Sequence, residues 1–283
     1  ILSSNIYYEY IFLCSSLFLV GYLDDIKIKI SPNIRLILMI IFIINCIVFL
    51  PIEIYNIDLI FLDSLLNNKV FSVFFILLCF LFIVNGANLI DGFNGLLAIN
   101  LIIINSILLF VNLRSNNMEF SFFLTAQIII MISFLLFNFP KAKMFLGDSG
   151  AYLFGSLVAL NTIITNNLNQ HISSFFFCIL LFYLFFEVFF SFFRKIFFKK
   201  QTPLFPDNQH LHMCLYRFLL TKYKTKLKSN YFVSIYINLT YLLLIIPGIL
   251  LFDDGIFCRF YFLLLILIYI YFYRMFYNKI FKK

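Results

Sequence analysis

Nine apolar runs, most of them close to the length needed to cross a lipid bilayer, constrain this chain more than any other feature. They fall at approximately 7–23, 34–50, 70–84, 96–113, 120–139, 151–164, 175–193, 231–252 and 257–276. A membrane-spanning helix needs about 20 consecutive apolar residues. The 283-residue chain is 63% hydrophobic and only 12% charged, whereas soluble domains are roughly half apolar and a quarter charged. A soluble fold is therefore excluded. Backbone groups in hydrocarbon must be paired within the segment or around a closed barrel, and the strand alternation of a barrel is absent, so the runs are read as helices. The expected fold is an all-α, polytopic integral membrane protein of about nine transmembrane helices, forming one transmembrane domain over 1–283 with a long loop at 194–230. The third and sixth runs are short, which is compatible with a tilted span, a span partly buried in protein or one extended by the polar motif beside it, and the count of spans follows to within about one.

If the runs alternate across the bilayer, the basic residues divide very unevenly between its two sides. Eighteen fall on one side, among them Lys27, Lys29, Arg35, Lys141, Lys143, Arg194, Lys222 and Lys279, against Lys69, Arg114 and Arg259 on the other. Lys and Arg accumulate in cytoplasmic loops, so the first side and the C-terminus are expected to be cytoplasmic. The net charge of +8 then lies where anionic headgroups or substrate phosphates would meet it. Nucleic acid is not an expected partner, because the basic residues flank helices and belong to no nucleic-acid module. The six cysteines are scattered without metal-ligand spacing and read as small buried residues. The chain begins at Ile1 with no signal-like segment, and further sequence ahead of it is expected.

The same side carries four polar motifs at the ends of runs. Asp24-Asp25 follows Gly21-Tyr22-Leu23 and precedes Ser31-Pro32-Asn33-Ile34-Arg35. Adjacent carboxylates repel, which raises the affinity of one for a proton or a cation and suits a general base or a metal contact. Asn85, Asn88, Asp91 and Asn94 recur every three residues among Gly86, Gly92 and Gly95, a pattern that fits the lining of a site better than a lipid-facing surface. Lys141-Ala142-Lys143 leads through Gly147-Asp148-Ser149-Gly150 into the sixth run. A hard carboxylate there suits Mg²⁺, which takes one or two carboxylates plus substrate phosphates, although an N-cap would need the same residue. The fourth motif, Pro206-Asp207-Asn208-Gln209-His210-Leu211-His212, is expected to make polar contacts to substrate. The carboxylates on the other side, such as Glu53, Asp58 and Asp254, have ordinary loop surroundings.

In this order, Asp-Asp, Asn-x-x-Asn-x-x-Asp-Gly-x-Asn-Gly, Phe-Leu-Gly-Asp-Ser-Gly and Pro-Asp-x-x-His-x-His, the motifs resemble the polyprenyl-phosphate N-acetylhexosamine-1-phosphate transferases of glycosyltransferase family 4, which include MraY and WecA. The resemblance covers nearly the whole chain. It implies transfer of a sugar 1-phosphate from a UDP-sugar to a polyprenyl phosphate such as undecaprenyl phosphate, with release of UMP and a requirement for Mg²⁺ or, alternatively, Mn²⁺. It further implies that Asp24, Asp25 and Asp91 are catalytic and that Asp148 binds metal. Lys27, Asn85, Asn88, Asn94, Lys143, His210 and His212 would contact substrates. The implied setting is a bacterial plasma membrane, with membrane lipids around the protein, the active site facing the cytoplasm and a homodimer as a compatible assembly. Asn94 stands where the family commonly has an aspartate, which weakens any metal role there. The His-Leu-His-Met segment lacks the triple histidine of MraY and points to a WecA-like initiator of surface-glycan synthesis. A transporter or lipid flippase is the main rival, but such proteins place binding groups near mid-bilayer, and here Glu187 is the main charge within a run. An inactive homologue is the other.

Overall fold

The computed structural model describes residues 4–26, 28, 30–49, 52–200, 202 and 207–281. They form twelve α-helices and no strand. The helices are α1 (Ser4–Asp25), α2 (Pro32–Phe49), α3 (Ile60–Leu66), α4 (Lys69–Ile90), α5 (Leu96–Arg114), α6 (Met118–Asn138), α7 (Gly147–Leu168), α8 (Ser174–Leu180), α9 (Phe182–Phe193), α10 (Leu211–Tyr223), α11 (Lys226–Leu250) and α12 (Gly255–Phe281), with a π-helical segment Arg194–Lys199 continuing α9. Local chemistry explains several boundaries. Pro32 occupies the first position of α2, where its missing N–H costs nothing. Asn68 caps α4 by accepting from the amides of Val70 and Phe71. Asp58 and Asp254 do the same at the starts of α8 and α12, accepting from Ser174 N and Phe257 N, so these carboxylates do have structural work.

Six of the helices, α2, α4, α5, α6, α11 and α12, are long and apolar enough to cross a membrane, and α8 with the α9 segment makes a seventh if that pair, bent by 76°, is one span. The seventh apolar run of the sequence is thus a broken span. The carbonyl of Leu180, released at the break, accepts from the Tyr241 hydroxyl. The remaining two of the nine expected runs, in α1 and α7, are helical but less apolar. For α7 the reason lies in its packing: it sits between α1, α4 and α5, and fourteen of its residues are buried. A helix that meets other helices on most sides can carry polar groups, provided they pair. Asn161 does so at the centre, donating to Asn105 of α5 and Gln127 of α6 and accepting from Tyr10 of α1.

Of the alternatives for the two short runs, both extend into the motifs beside them, as α4 and α7, and α7 is also largely buried in protein. The stretch 194–230 departs from a loop. Most of it is helical, because Leu211, Cys214, Leu215, Phe218 and Leu219 recur at the spacing of an amphipathic helix, and α10 lays that face against α11 and α12. Four of the six cysteines are buried as expected, while Cys79 is half-buried and Cys178 exposed.

Candidate active site

The ends of α1, α2, α4 and α7 meet at one end of the bundle, and the contact of α1 with α7 sets the geometry. Gly21 of α1 lies against the backbone of Asp148 and Ser149 so closely that a Cβ there would collide with it. Gly147 adopts φ +67°, a left-handed conformation open to glycine, and a Cβ on it would lie 2.7 Å from the Asp25 carboxylate. Asp25 thereby reaches the N-terminus of α7. One carboxylate oxygen accepts from Asp148 N at 3.0 Å, and the other accepts from Ser149 N at 3.0 Å and Ser149 Oγ at 2.6 Å. No side chain of α7's own N-cap position makes that bond. Asp25 of α1 is the cap, which complements the helix dipole and leaves the Asp148 side chain free for other contacts.

Asp148 uses that freedom. Its Oδ1 accepts from Asn88 Nδ2 at 2.7 Å and its Oδ2 from Arg35 Nη1 at 2.7 Å. The same Arg35 nitrogen donates to Asp24 Oδ2 at 2.6 Å, and the guanidinium lies 5.9 Å from the ring centre of Tyr152. One arginine from α2 thus bridges carboxylates of α1 and α7. Asp91, just past the end of α4, has its pKa pushed up to about 7, chiefly by burial and then by the charges of Asp148 and Asp25.

The other expected site residues divide. Asn85 donates to Leu81 O of its own helix and makes no bond to this cluster. Asn94 shapes the turn into α5, its backbone N–H donating to Asn230 and its side chain to Pro140 O. Lys143 is exposed in the segment before α7, and Lys27 lies outside the described residues.

A second polar group forms around the histidine segment. His210 precedes α10 in extended conformation and His212 lies in its first turn, yet their rings stack at 5.4 Å. Glu187 of α9 anchors them: Oε1 faces His210 Nδ1 at 3.1 Å and accepts from Leu211 N, while Oε2 accepts from Tyr269 at 2.7 Å. Arg194 holds the same segment through Asp207 at 2.9 Å and Gln209 O at 2.7 Å. His212 is not in an open polar loop. It is fully buried, with Tyr183 Oη 3.2 Å from Nδ1 and Phe93 edge-on at 5.6 Å between ring centres. Burial lowers its pKa to about 4, so the ring is neutral. Phe93 follows Asp91 by two residues and so links the two polar groups. Arg35 and Ser149 stand inside the sequence motifs and Arg194 among the flanking basic residues, but nothing in the sequence assigns them these contacts. Glu187 was visible as a charge inside an apolar run.

Residues 8–166 match the family described as glycosyl transferase family 4. This chain belongs to that family. An undecaprenyl-phosphate alpha-N-acetylglucosaminyl 1-phosphate transferase of Thermotoga maritima is 32% identical over 164 residues, which are 58% of this chain and 49% of that protein. The phospho-N-acetylmuramoyl-pentapeptide-transferase of Leuconostoc mesenteroides is 36% identical over 80 residues, 28% of this chain and 25% of its own. That of Dictyoglomus turgidum is 32% identical over 100 residues, 35% of this chain and 32% of its own. The matched stretches thus span about half of the first of these relatives and a third or less of the others. The family 4 match includes Asp24, Arg35, Asn88, Asp91 and Asp148 and ends before the histidine segment.

The donor set accords with the Mg²⁺ that family 4 resemblance implies. Among the described residues no three His, Cys, Asp or Glu side chains converge as a metal cage. Asp24 and Asp148 are two carboxylates on a shared cationic partner, and Mg²⁺ is bound by one or two carboxylates together with waters and substrate phosphates.

Proposed function

We propose that this family 4 protein transfers an N-acetylhexosamine 1-phosphate from a UDP-sugar to a membrane polyprenyl phosphate, giving the polyprenyl diphosphate sugar and UMP. The observation that carries the reading is the convergence of Asp24 and Asp148 on Arg35, at one end of a bundle of largely apolar helices. A phosphate oxygen of the lipid attacks the phosphorus bonded to the sugar, a new P–O–P bridge forms, and the old bridge breaks with its electrons leaving on UMP. A phosphate monoester loses its second proton near pH 6, so the acceptor is largely a dianion at neutral pH and needs little help from a base. The larger barrier is charge. An anionic nucleophile must approach a diphosphate beside several carboxylates, and such transfers are catalysed mostly by positioning and by cations.

Arg35 supplies one such cation. Bound Mg²⁺ would be held by Asp148 and Asp24 and would neutralise charge on the diphosphate. Asp25 fixes the start of α7 and with it the direction of Asp148, while Asn88 orients the Asp148 carboxylate. Asp91 has a proton affinity suited to exchange near neutrality. The excess of basic residues at this end supports a cytoplasmic placement of the site, in the plasma membrane of a bacterium. The greater extent of the match to the N-acetylglucosaminyl enzyme supports N-acetylglucosamine or a close relative as the sugar. The test is release of UMP by the full-length protein in detergent, with undecaprenyl phosphate, Mg²⁺ or Mn²⁺ and a panel of UDP-sugars. UMP formed only with the lipid acceptor is the expected result. Its absence with every UDP-sugar would remove the assignment.

A further inference from the structure

Away from the aspartate cluster, a cavity of about 380 Å³ lies between α8, α9, α10, α11 and α12, large enough for a small ligand or one stretch of lipid chain. Its walls are almost wholly apolar, and Lys222 carries the one charge among its lining residues. The tyrosine hydroxyls that bear on it already have partners: Tyr241 donates to Leu180 O, Tyr269 donates to Glu187, and Tyr183 meets His212. A water or a sugar needs several free polar partners, so the chemistry of the interior fits an apolar occupant. Because α11 and α12 are membrane-spanning helices, the available apolar material is lipid.

The mouth adds the second half of the ligand. Lys222 lies in the last turn of α10, followed by Lys224, Lys226 and Lys228, and Lys279 Nζ lies 5.1 Å from the ring of Phe218 in the cavity wall. Residues 208–252 and 255–283 contain no Asp or Glu. An anion at this mouth meets basic side chains with no neighbouring carboxylate from those segments. Transfer of an acyl chain from bilayer to protein exchanges one hydrocarbon setting for another, so it contributes little net driving force, and the headgroup decides which lipid stays.

From the apolar interior and the carboxylate-free basic mouth we infer that this cavity is a binding site for an anionic diacyl phospholipid, one acyl chain between α10, α11 and α12 and the phosphate at Lys222. The polyprenyl acceptor fits less well, because the aspartate cluster is carried by α1, α2, α4 and α7, none of which lines this cavity. Occupancy has a consequence at the histidine segment. Tyr183 and Tyr269 form part of the wall and hold His212 and Glu187, and Glu187 holds His210, so a lipid packed against those rings fixes the segment's position.

The experiment counts lipids retained by the full-length protein in native mass spectrometry after incubation with mixed micelles of phosphatidylglycerol or phosphatidylcholine of equal chain length. It makes no use of transferase activity, so it stands or falls separately from the proposed reaction. About one phosphatidylglycerol per chain is expected to be retained in preference to phosphatidylcholine. Lys222→Ala should weaken phosphatidylglycerol retention roughly fivefold while leaving phosphatidylcholine unchanged. Thr240→Trp, which fills the cavity from α11, should abolish the bound lipid in a protein with unaltered thermal stability. Equal retention of both lipids, or phosphatidylglycerol retention indifferent to both variants, overturns the inference. One-for-one displacement by undecaprenyl phosphate would assign the cavity to the acceptor, and a lipid-free dimer blocked by Thr240→Trp would assign it to a second copy. Either result also overturns it.

Discussion

Arg35→Met keeps most of the side chain's apolar stem and removes the charge that Asp24 and Asp148 share. The two contacts, at 2.6 and 2.7 Å, involve side chains 24%, 33% and 29% exposed, so they belong neither with fully solvated ion pairs nor with buried ones. Exposed pairs contribute about 0–1 kcal/mol, and removing one partner of a buried pair costs about 3–5 kcal/mol. An intermediate loss of about 2–3 kcal/mol is expected for the double contact, in metal-free buffer. A divalent cation held by the same carboxylates replaces the missing charge, and ligand at a hundredfold its Kd stabilises by about 2.7 kcal/mol. The variant should therefore regain nearly wild-type stability in saturating Mg²⁺. Wild-type protein should gain less, because there the cation competes with the guanidinium. Thermal unfolding in detergent with EDTA, and across a Mg²⁺ titration, measures both quantities. A variant as stable as wild type in EDTA, or one whose response to Mg²⁺ is no larger, would refute the idea that arginine and metal answer to the same carboxylates.

Asp148→Asn preserves shape and leaves the cap of α7 to Asp25, so folding should hold while UMP release falls on the order of a thousandfold; retained activity with an unaltered Mg²⁺ requirement would exclude Asp148 as a ligand. Asp91, raised from 3.8 to about 7, favours the folded state when protonated, so its contribution is complete below about pH 4 and is lost as pH rises through 7. Asp91→Asn should thus match wild type in thermal stability at pH 4 and exceed it above pH 7, and identical pH profiles would contradict that environment. His212→Ala empties a fully buried site between His210, Phe93 and Tyr183 and should cost about 2–4 kcal/mol, so unfolding measured beside UMP release is expected to show a stability defect as well as slower turnover. Cysteines placed at Lys224 and Asn278 should react with membrane-impermeant maleimide only after the cytoplasmic side is opened, and labelling in intact cells would reverse the topology.

The sequence exposed what depends on composition and short range: apolar runs of bilayer length, the uneven basic residues, and the aspartates at run ends. It also led to Asp24, Asn88, Asp91 and Asp148 as members of one site. It did not assign their work. Asp25 looks equivalent to Asp24, and only the approach of α1 to α7 at Gly21 and Gly147 turns it into a cap from outside the helix. Arg35 is an ordinary flanking residue until α2 packs beside α1 and places its guanidinium between two helices. Asn94 stands in the same three-residue row as Asn88, but α4 ends at Ile90, so the row breaks and Asn94 faces Pro140 instead. The break after Leu180 left no Gly or Pro to announce it, since its stabilising partner, Tyr241, lies 61 residues away.

The polar make-up of α7 also bears on how the protein is made. A helix bearing Asp148, Ser156, Asn161, Thr162 and Thr165 partitions poorly into lipid by itself, since polar residues reduce the tendency of a segment to leave the translocon sideways. Its bonding partners Tyr10, Asn105 and Gln127 are all translated before it, on α1, α5 and α6. The helices that form the wall against which α7 packs have therefore already been synthesised when α7 emerges. If α7 enters the bilayer against those helices, a chain that has failed to assemble them would have no place for Asp148, the carboxylate at the centre of the site.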